Sequence, residues 1–113
     1  MHEYGITQNI VDIVVEEAQK NNVNKVTSIK LVIGELSGII DESVQMYFDI
    51  ISVGTLCEGA KLNFIKNHAM LECKVCSNIF KRNPRTFDCP KCGGIAKLTD
   101  VGKEFYIESI EVE

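Results

Sequence analysis

Two Cys-x-x-Cys pairs constrain the fold of this chain more than any other feature of its sequence. Cys73 and Cys76 form the first pair, Cys89 and Cys92 form the second, and twelve residues separate the pairs. Each short turn places two thiolates on one side of a loop, so two turns can close a tetrahedron around one soft metal ion. The spacing predicts a structural Zn(II) ion held by all four cysteines.

A redox dithiol, an iron centre of the rubredoxin type and unmetallated thiols are the alternatives. A redox Cys-x-x-Cys motif normally acts alone, whereas the two copies here are spaced to share one ion. Four thiolates fill the coordination sphere of zinc and leave no position for water, so the motif gives no reason to expect an enzyme. Cys57 has no partner in the sequence and is expected to be a buried small apolar residue or a mildly exposed thiol.

Composition and the amino-terminal sequence favour a cytoplasmic protein. The chain has 113 residues, of which 45% are hydrophobic and 25% are charged, as in globular domains. His2 and Glu3 stand where a signal peptide would carry Lys or Arg, and no long apolar stretch follows them. Free thiols also suit a reducing compartment. We therefore expect no secretion and no association with a membrane.

A local basic patch stands out in a chain whose formal net charge is −4. Six cations surround the single acid Asp88, namely Lys74, Lys81, Arg82, Arg85, Lys91 and Lys97. Zinc with four thiolates carries a charge of −2, which these cations can offset. The alternative is a nucleic-acid surface, but Phe87 is the only aromatic residue between Arg82 and Lys91, which gives base stacking little support.

Hydrophobic periodicity predicts two helices and three strands. Thr7 and Asp41 are the expected N-caps of the helices. The predicted elements cover residues 7–21 (helix), 27–35 (strand), 41–53 (helix), 60–67 (strand) and 104–113 (strand). The last strand is longer than a small zinc unit needs, so we expect it to return to the first sheet. The predicted fold is α+β: a small sheet with two helices (1–66 plus 104–113) carrying an inserted, zinc-ribbon-like four-cysteine unit (67–103).

The amino terminus offers a second set of metal donors. The Met1 amine and the His2 amide nitrogen can close a five-membered chelate ring, and the His2 amide and its imidazole Nδ1 can close a six-membered ring. Three nitrogens can then lie in one plane around Ni²⁺ or Cu²⁺, with a fourth position left for Glu3 or for a group supplied by the fold. A histidine at position 2 also occurs by chance, so the spacing alone leaves this site open.

Three segments together resemble the HypA family of hydrogenase maturation factors. They are MHEYGITQNIVDIV, IGELSGIIDESVQMYFD and the two Cys-x-x-Cys pairs, the second within CPKCGG, in an order that follows essentially the whole chain. The resemblance implies a nickel metallochaperone with Ni(II) as transient cargo and Zn(II) as structural ion. It also implies two partners, a nickel-handling GTPase and the large subunit of [NiFe]-hydrogenase, with urease as a recipient in some organisms.

The resemblance also assigns roles to residues. It implies that His2 is the essential nickel ligand, that Met1 and Glu3 contribute to the site, and that Asp41 lies near it, although a helix cap accounts for Asp41 without any metal. It implies that the four paired cysteines hold zinc. His68 could lend an imidazole to nickel, but a surface histidine at a strand end explains it as well. No histidine lies between the Cys-x-x-Cys pairs, which puts nickel-dependent changes in zinc ligation in doubt.

The alternative function is a zinc-ribbon module that binds nucleic acid or protein through Lys81, Arg82 and Arg85 and has no role with nickel. We expect the metallochaperone to act without nucleic acid and as a monomer or homodimer. Alternating strands near both ends of the chain leave room for strand exchange between two copies.

Overall fold

A computed structural model describes residues 2–83 and 85–113, with His2 described by its backbone alone. These parts of the chain contain two helices and six strands. They are α1 (His2–Lys20), β1 (Val26–Gly34), α2 (Asp41–Ile51), β2 (Lys61–Asn67), β3 (Met70–Cys73), β4 (Ile79–Lys81), β5 (Ala96–Leu98) and β6 (Phe105–Val112). The predicted α+β class is confirmed. Among the described residues, no helix is long and apolar enough to cross a membrane.

The chain divides into two compact units. The helical unit contains residues up to Val32 together with Ile39–Ile65 and Tyr106–Glu113, and the cysteine unit contains Ile33–Gly38 and Lys66–Phe105. The segment 33–38 therefore groups with the cysteines, whereas the sequence-based division placed it with the helices. The functional division into 1–66 plus 104–113 and 67–103 stays a prediction.

The core of the helical unit forms where α1 packs against α2. Ile10, Val14 and Ala18 recur at helical spacing on one face of α1 and are buried, as are Val44 and Phe48 of α2. Burying a large apolar side chain contributes roughly 1.5–3 kcal/mol, so this face holds the two helices together. Cys57 is also fully buried, which confirms its expected role as a small apolar residue, and burial raises the pKa of its thiol.

Helix α1 begins before the predicted start at Thr7. Thr7 is buried within the helix, and its hydroxyl donates a 2.5 Å hydrogen bond to the Glu3 carbonyl one turn earlier. A threonine hydroxyl can form a hydrogen bond inside a helix as well as cap its start, so the prediction of Thr7 as the N-cap was wrong. The ring of Tyr4 contacts that of Tyr47 of α2 edge-to-face, with centroids 5.4 Å apart, which anchors the first turn.

Helix α2 begins at the predicted residue, Asp41, but Asp41 is not the N-cap that the sequence predicted. The N-cap position belongs to Ile40, which makes no side-chain cap hydrogen bond, and Asp41 is the first helical residue. Its Oδ1 accepts a 2.9 Å hydrogen bond from the Glu42 N–H. The carboxylate thus lies at the positive end of the helix dipole, where a negative charge is stabilising.

The sheet of the helical unit has the strand order β2-β1-β6. The last strand therefore returns beside the first, as predicted. The Glu113 N–H donates to the Lys25 carbonyl at 2.9 Å, and the Ser28 hydroxyl donates to the Glu111 carboxylate at 2.6 Å. These bonds join the end of β6 to the start of β1, so the two strands run antiparallel.

The cysteine unit contains a second sheet, in the order β4-β3-β5, whose three strands were not predicted. Both neighbours pair antiparallel with β3, and Leu71 lies opposite Phe80 of β4 and Leu98 of β5. Leu71 and Ala69 are fully buried, but each outer strand has only three residues. So small an apolar core gives a unit little stability of its own, and such units usually depend on a metal or on disulfides.

The segment 33–38 is fixed to the cysteine unit through its backbone. The Glu35 N–H donates to the Asn67 carbonyl at 2.8 Å, and the Leu36 N–H donates to the Gly102 carbonyl at 2.6 Å. Gly34 faces Gly102 so closely that a Cβ on Gly34 would collide with the Gly102 carbonyl group. The absence of a side chain at Gly34 therefore allows this close contact with Gly102.

The Glu35 side chain ties three parts of the cysteine unit together. Its Oε1 accepts from the Ala69 N–H at 2.7 Å, and its Oε2 accepts from Arg82 Nη2 at 2.6 Å. The Ala69 amide and the Arg82 guanidinium hold the pKa of this carboxyl below its usual value of 4.5, so it stays ionised at neutral pH. His68 Nδ1 lies 3.9 Å from Glu35 Oε1, which places His68 beside this ion pair.

We expect Glu35→Ala to speed hydrogen exchange at the Ala69 amide by about tenfold, because that amide loses its acceptor. Glu35→Gln keeps a side-chain oxygen and should change the exchange rate much less. Native-state exchange followed by NMR at neutral pH measures both rates. The matched control is Glu72→Ala, which removes a carboxylate whose partner, 3.8 Å away, is Lys97. Equal exchange rates at Ala69 in Glu35→Ala and Glu72→Ala would contradict this role for Glu35.

Candidate metal centres

The two Cys-x-x-Cys turns repeat one backbone pattern. In the first turn, the N–H of Ser77 donates to the Cys73 carbonyl at 3.0 Å, and in the second the N–H of Gly93 donates to the Cys89 carbonyl at 2.8 Å. Both donors have positive φ, 64° for Ser77 and 75° for Gly93. Left-handed backbone costs glycine little, which suits Gly93 to its position directly after Cys92. The first turn adopts the same conformation with a serine.

Backbone N–H groups point at the sulfurs in each turn. Cys73 Sγ accepts from the amides of Val75 and Cys76 at 3.3 and 3.4 Å. In the second turn, the amide of Lys91 points at Cys89 Sγ at 3.4 Å. The Cys76 and Val75 amides also hold the pKa of the Cys73 thiol below its usual value of 9.0. Such donors stabilise thiolate, which is the form that binds metal.

The turns bring four sulfurs together, two from buried cysteines (Cys73, Cys89) and two from exposed ones (Cys76, Cys92). Cys73 Sγ lies 3.5 Å from Cys92 Sγ, and Cys76 Sγ lies 3.7 Å from Cys89 Sγ. All four sulfurs lie within 4.8 Å of one another. Tetrahedral zinc with Zn–S bonds of ~2.3 Å needs sulfurs about 3.8 Å apart. The donor set therefore fits Zn²⁺.

Proximity makes the thiols share protons. Burial raises the pKa of Cys89, but the N–H groups of Cys92 and Lys91 outweigh it and lower that pKa to about 6. The Gly94 N–H lowers the pKa of Cys92, yet the neighbouring Cys73 sulfur and others raise it to about 12 overall. Four thiolates this close repel one another, so a divalent cation is needed to ionise the whole set.

A fifth side chain at the cluster was missed from the sequence. The Asn78 side-chain amide donates to Cys89 Sγ at 3.7 Å, and the Asn78 backbone carbonyl accepts from the Cys73 backbone N–H at 2.9 Å. Asn78 thus connects the two turns, through the sulfur of Cys89 and the backbone of Cys73. The only signal was an amide side chain two residues after Cys76, which is too common a residue type to single out.

Of the four residues predicted to bind nickel, Glu3 and Asp41 are fully described by the structure and the other two are not. Met1 lies outside the described part of the chain, and for His2 the backbone alone is described, as the first residue of α1. Glu3 is half-buried in the first helical turn, and Asp41 begins α2. The grouping of Met1, His2, Glu3 and Asp41 around one ion stays a prediction.

Comparison with known proteins identifies the family. A family model described as "Hydrogenase/urease nickel incorporation, metallochaperone, hypA" matches residues 1–112. The chain belongs to the HypA family. Hydrogenase maturation factor HypA from Caldanaerobacter subterraneus subsp. tengcongensis is 55% identical over 114 residues, which cover all of both chains. Hydrogenase maturation factor HybF from Shigella boydii is 33% identical over 113 residues, again covering both chains fully.

Solved structures of HypA proteins share this fold. The solution structure of the Ni metallochaperone HypA from Helicobacter pylori is 29% identical, with a TM-score of 0.65, and the match covers 97% of this chain and 96% of that one. A second HypA solution structure, also 29% identical, gives a TM-score of 0.74 over 100% and 97% of the two chains. The HypA family comprises nickel metallochaperones for hydrogenase maturation, and the four-cysteine group in this member fits its zinc ion.

Proposed function

We propose that this protein binds Ni(II) at its amino terminus and helps to insert it into the active site of [NiFe]-hydrogenase, with urease as an alternative recipient. The observation that carries the proposal is the match to the HypA family model over residues 1–112. The protein acts in the cytoplasm as a carrier and not as an enzyme. Its partners are a nickel-handling GTPase and the hydrogenase large subunit, and it binds neither nucleic acid nor membrane.

The start of α1 suits the proposed nickel ligands. His2 and Glu3 are the first residues of the helix, and the first four N–H groups of a helix have no partner within it. Binding nickel through the His2 amide nitrogen therefore breaks no helical hydrogen bond. The positive end of the helix dipole also favours the negatively charged, deprotonated amide. The Met1 amine and the His2 imidazole complete the three nitrogen donors.

Asp41 is a plausible neighbour of this site because the first turn of α1 packs on α2. The contact runs through Tyr4 and Tyr47, and Tyr47 lies six residues after Asp41, about 9 Å along the helix axis. A carboxylate in this position could supply the fourth nickel ligand or accept a hydrogen bond from the His2 imidazole.

We assign the zinc ion to Cys73, Cys76, Cys89 and Cys92. Zinc bound by four thiolates has no open position, so it stabilises the cysteine unit and performs no Lewis-acid chemistry. The unit then presents a fixed surface to partner proteins while nickel is held elsewhere. Two cations of the basic patch already pair with acids, Arg82 with Glu35 at 2.6 Å and Lys97 with Glu72 at 3.8 Å.

The test is a nickel titration of the protein and of His2→Ala, with zinc content measured in both. We expect His2→Ala to bind nickel at least tenfold more weakly, since it loses the imidazole and one chelate ring, and to retain its zinc. Gln8→Ala, a polar change one and a half turns further along α1, serves as the matched control and should bind nickel normally. Equal nickel affinities of the protein and His2→Ala would exclude the proposed site.

A further inference from the structure

A shallow apolar groove lies on the helical unit between α1 and β6. It has a volume of about 270 Å³ and is lined by Ile13, Val14, Glu17, Ile107, Ser109 and Ile110. Ile13 is 56% exposed, which is unusual for a large apolar side chain on a helix that otherwise buries one face. The groove therefore presents apolar surface that no described residue covers.

The edge of β6 runs along this groove, and the only charged residues of this strand are Glu108 and Glu111. In the strand order β2-β1-β6, β6 has one neighbour among the described strands, so one row of its backbone groups has no strand partner there. Natural edge strands are usually short or carry Lys, Pro or a bulge, which prevent pairing with other chains. β6 has eight residues, FYIESIEV, with neither Lys nor Pro. The strand can therefore accept another strand at its edge.

The negative charge around β6 favours a partner strand with positive charge. Residues 104–113 carry four glutamates, Glu104, Glu108, Glu111 and Glu113, and no cation, and Glu17 adds a further acid at the rim of the groove. A second copy of β6 would bring a second set of glutamates to the same edge, and like charges that face each other across strands are destabilising. A strand that carries Lys or Arg is the complement.

We propose that β6 and the adjacent groove form a docking surface for an extended segment of a partner protein in which apolar residues alternate with Lys or Arg. The segment adds to the β6 edge through backbone hydrogen bonds, which give affinity, and its side chains give specificity. Alternate side chains lie on one face of a strand, ~6.6 Å apart. The lining from Ile107 to Ile110 spans about 10 Å of β6, room for two apolar side chains, while the basic ones meet the glutamates.

The test uses an eight-residue peptide that alternates lysine and valine, with an alternating glutamate and valine peptide as its counterpart. Fluorescence anisotropy measures binding of each labelled peptide to the full zinc-loaded chain at low and high salt. We expect the basic peptide to bind, to bind more weakly at high salt and to slow hydrogen exchange of β6 amides. The acidic peptide should not bind.

At high salt, which screens the attraction of the new carboxylate for lysine, Ile13→Asp should weaken binding of the basic peptide by about tenfold, because it removes an apolar side chain from the groove wall. Ile50→Asp is the matched control, since Ile50 is 65% exposed on α2 and does not line the groove. Glu108→Lys changes only an exposed charge on β6 and should also weaken binding by about tenfold, which keeps the test informative if Ile13→Asp does not fold.

Three results would overturn the proposal. The acidic peptide could bind as tightly as the basic one, or Ile50→Asp could weaken binding as much as Ile13→Asp. The protein could also associate with itself through β6 so that the peptide cannot compete, in which case the groove belongs to a second copy. None of these results depends on nickel binding, so they are distinguishable from a failure of the proposed function.

Discussion

Cys76→Ser is expected to abolish zinc binding and to unfold the cysteine unit while the helical unit stays folded. Structural zinc sites of this type have apparent binding free energies of roughly 10–16 kcal/mol at neutral pH, which is folding energy for the segment that holds the ion. The described residues 66–105 have little to replace it, because strands β4 and β5 have three residues each. The helical unit keeps its own core around Val14 and Phe48.

Zinc analysis of the purified protein and NMR measure this outcome together. Amide signals of 66–105 should collapse to unfolded positions in Cys76→Ser, or after chelation, while those of α1 and α2 remain dispersed. Cys57→Ala is the control, since it also removes one thiol. Cys57 lies outside the four-sulfur group. The idea fails if Cys57→Ala loses zinc, or if Cys76→Ser keeps both zinc and a folded cysteine unit.

The elements with strong hydrophobic periodicity were predictable from sequence, whereas the three short strands of the cysteine unit were not. The faces of α1 and α2 and strand β1 follow from apolar spacing that alternates or repeats every turn, and the return of β6 to the first sheet followed from the length of that strand. Strands β3, β4 and β5 have three or four residues, too few to show a period. They form because the two Cys-x-x-Cys turns bring their ends together.

The candidate zinc site was predictable because its ligands come from two local turns, each encoded by one spacing. The role of Glu35 was not, because its partner Arg82 lies 47 positions away and neither residue belongs to a repeating pattern. The same holds for the capping errors at Thr7 and Asp41. Both residue types can bond to the backbone in several positions, and packing of the first turn through Tyr4 and Tyr47 decided where α1 begins.

A longer amino terminus should remove nickel binding more completely than His2→Ala does. Adding four residues without histidine before Met1 converts the terminal amine into a peptide amide, which binds nickel only after losing a proton, and moves the new amine too far away to join the chelate of His2. Loss of even an outer-shell partner of a metal ligand costs ~10–100-fold in affinity, so loss of this direct ligand should cost about 100-fold or more. Isothermal titration with nickel, with zinc measured in parallel, gives the affinity, and N-acetylation of Met1 should have the same effect.

Adding a single residue before Met1 should have the opposite effect, and this contrast tests the chelate most sharply. The amine then moves one position away, so the chain offers the amine, two amide nitrogens and the His2 imidazole as four donors in one plane. Nickel prefers such a set, and the ion should be bound more tightly than by the original three nitrogens. A tight complex would also release nickel slowly, which suits a carrier poorly. If one added residue and four weaken binding equally, the three planar nitrogens are not the site. If the two extensions differ as expected, the native site holds nickel with one planar nitrogen fewer than the extended chain, which permits transfer.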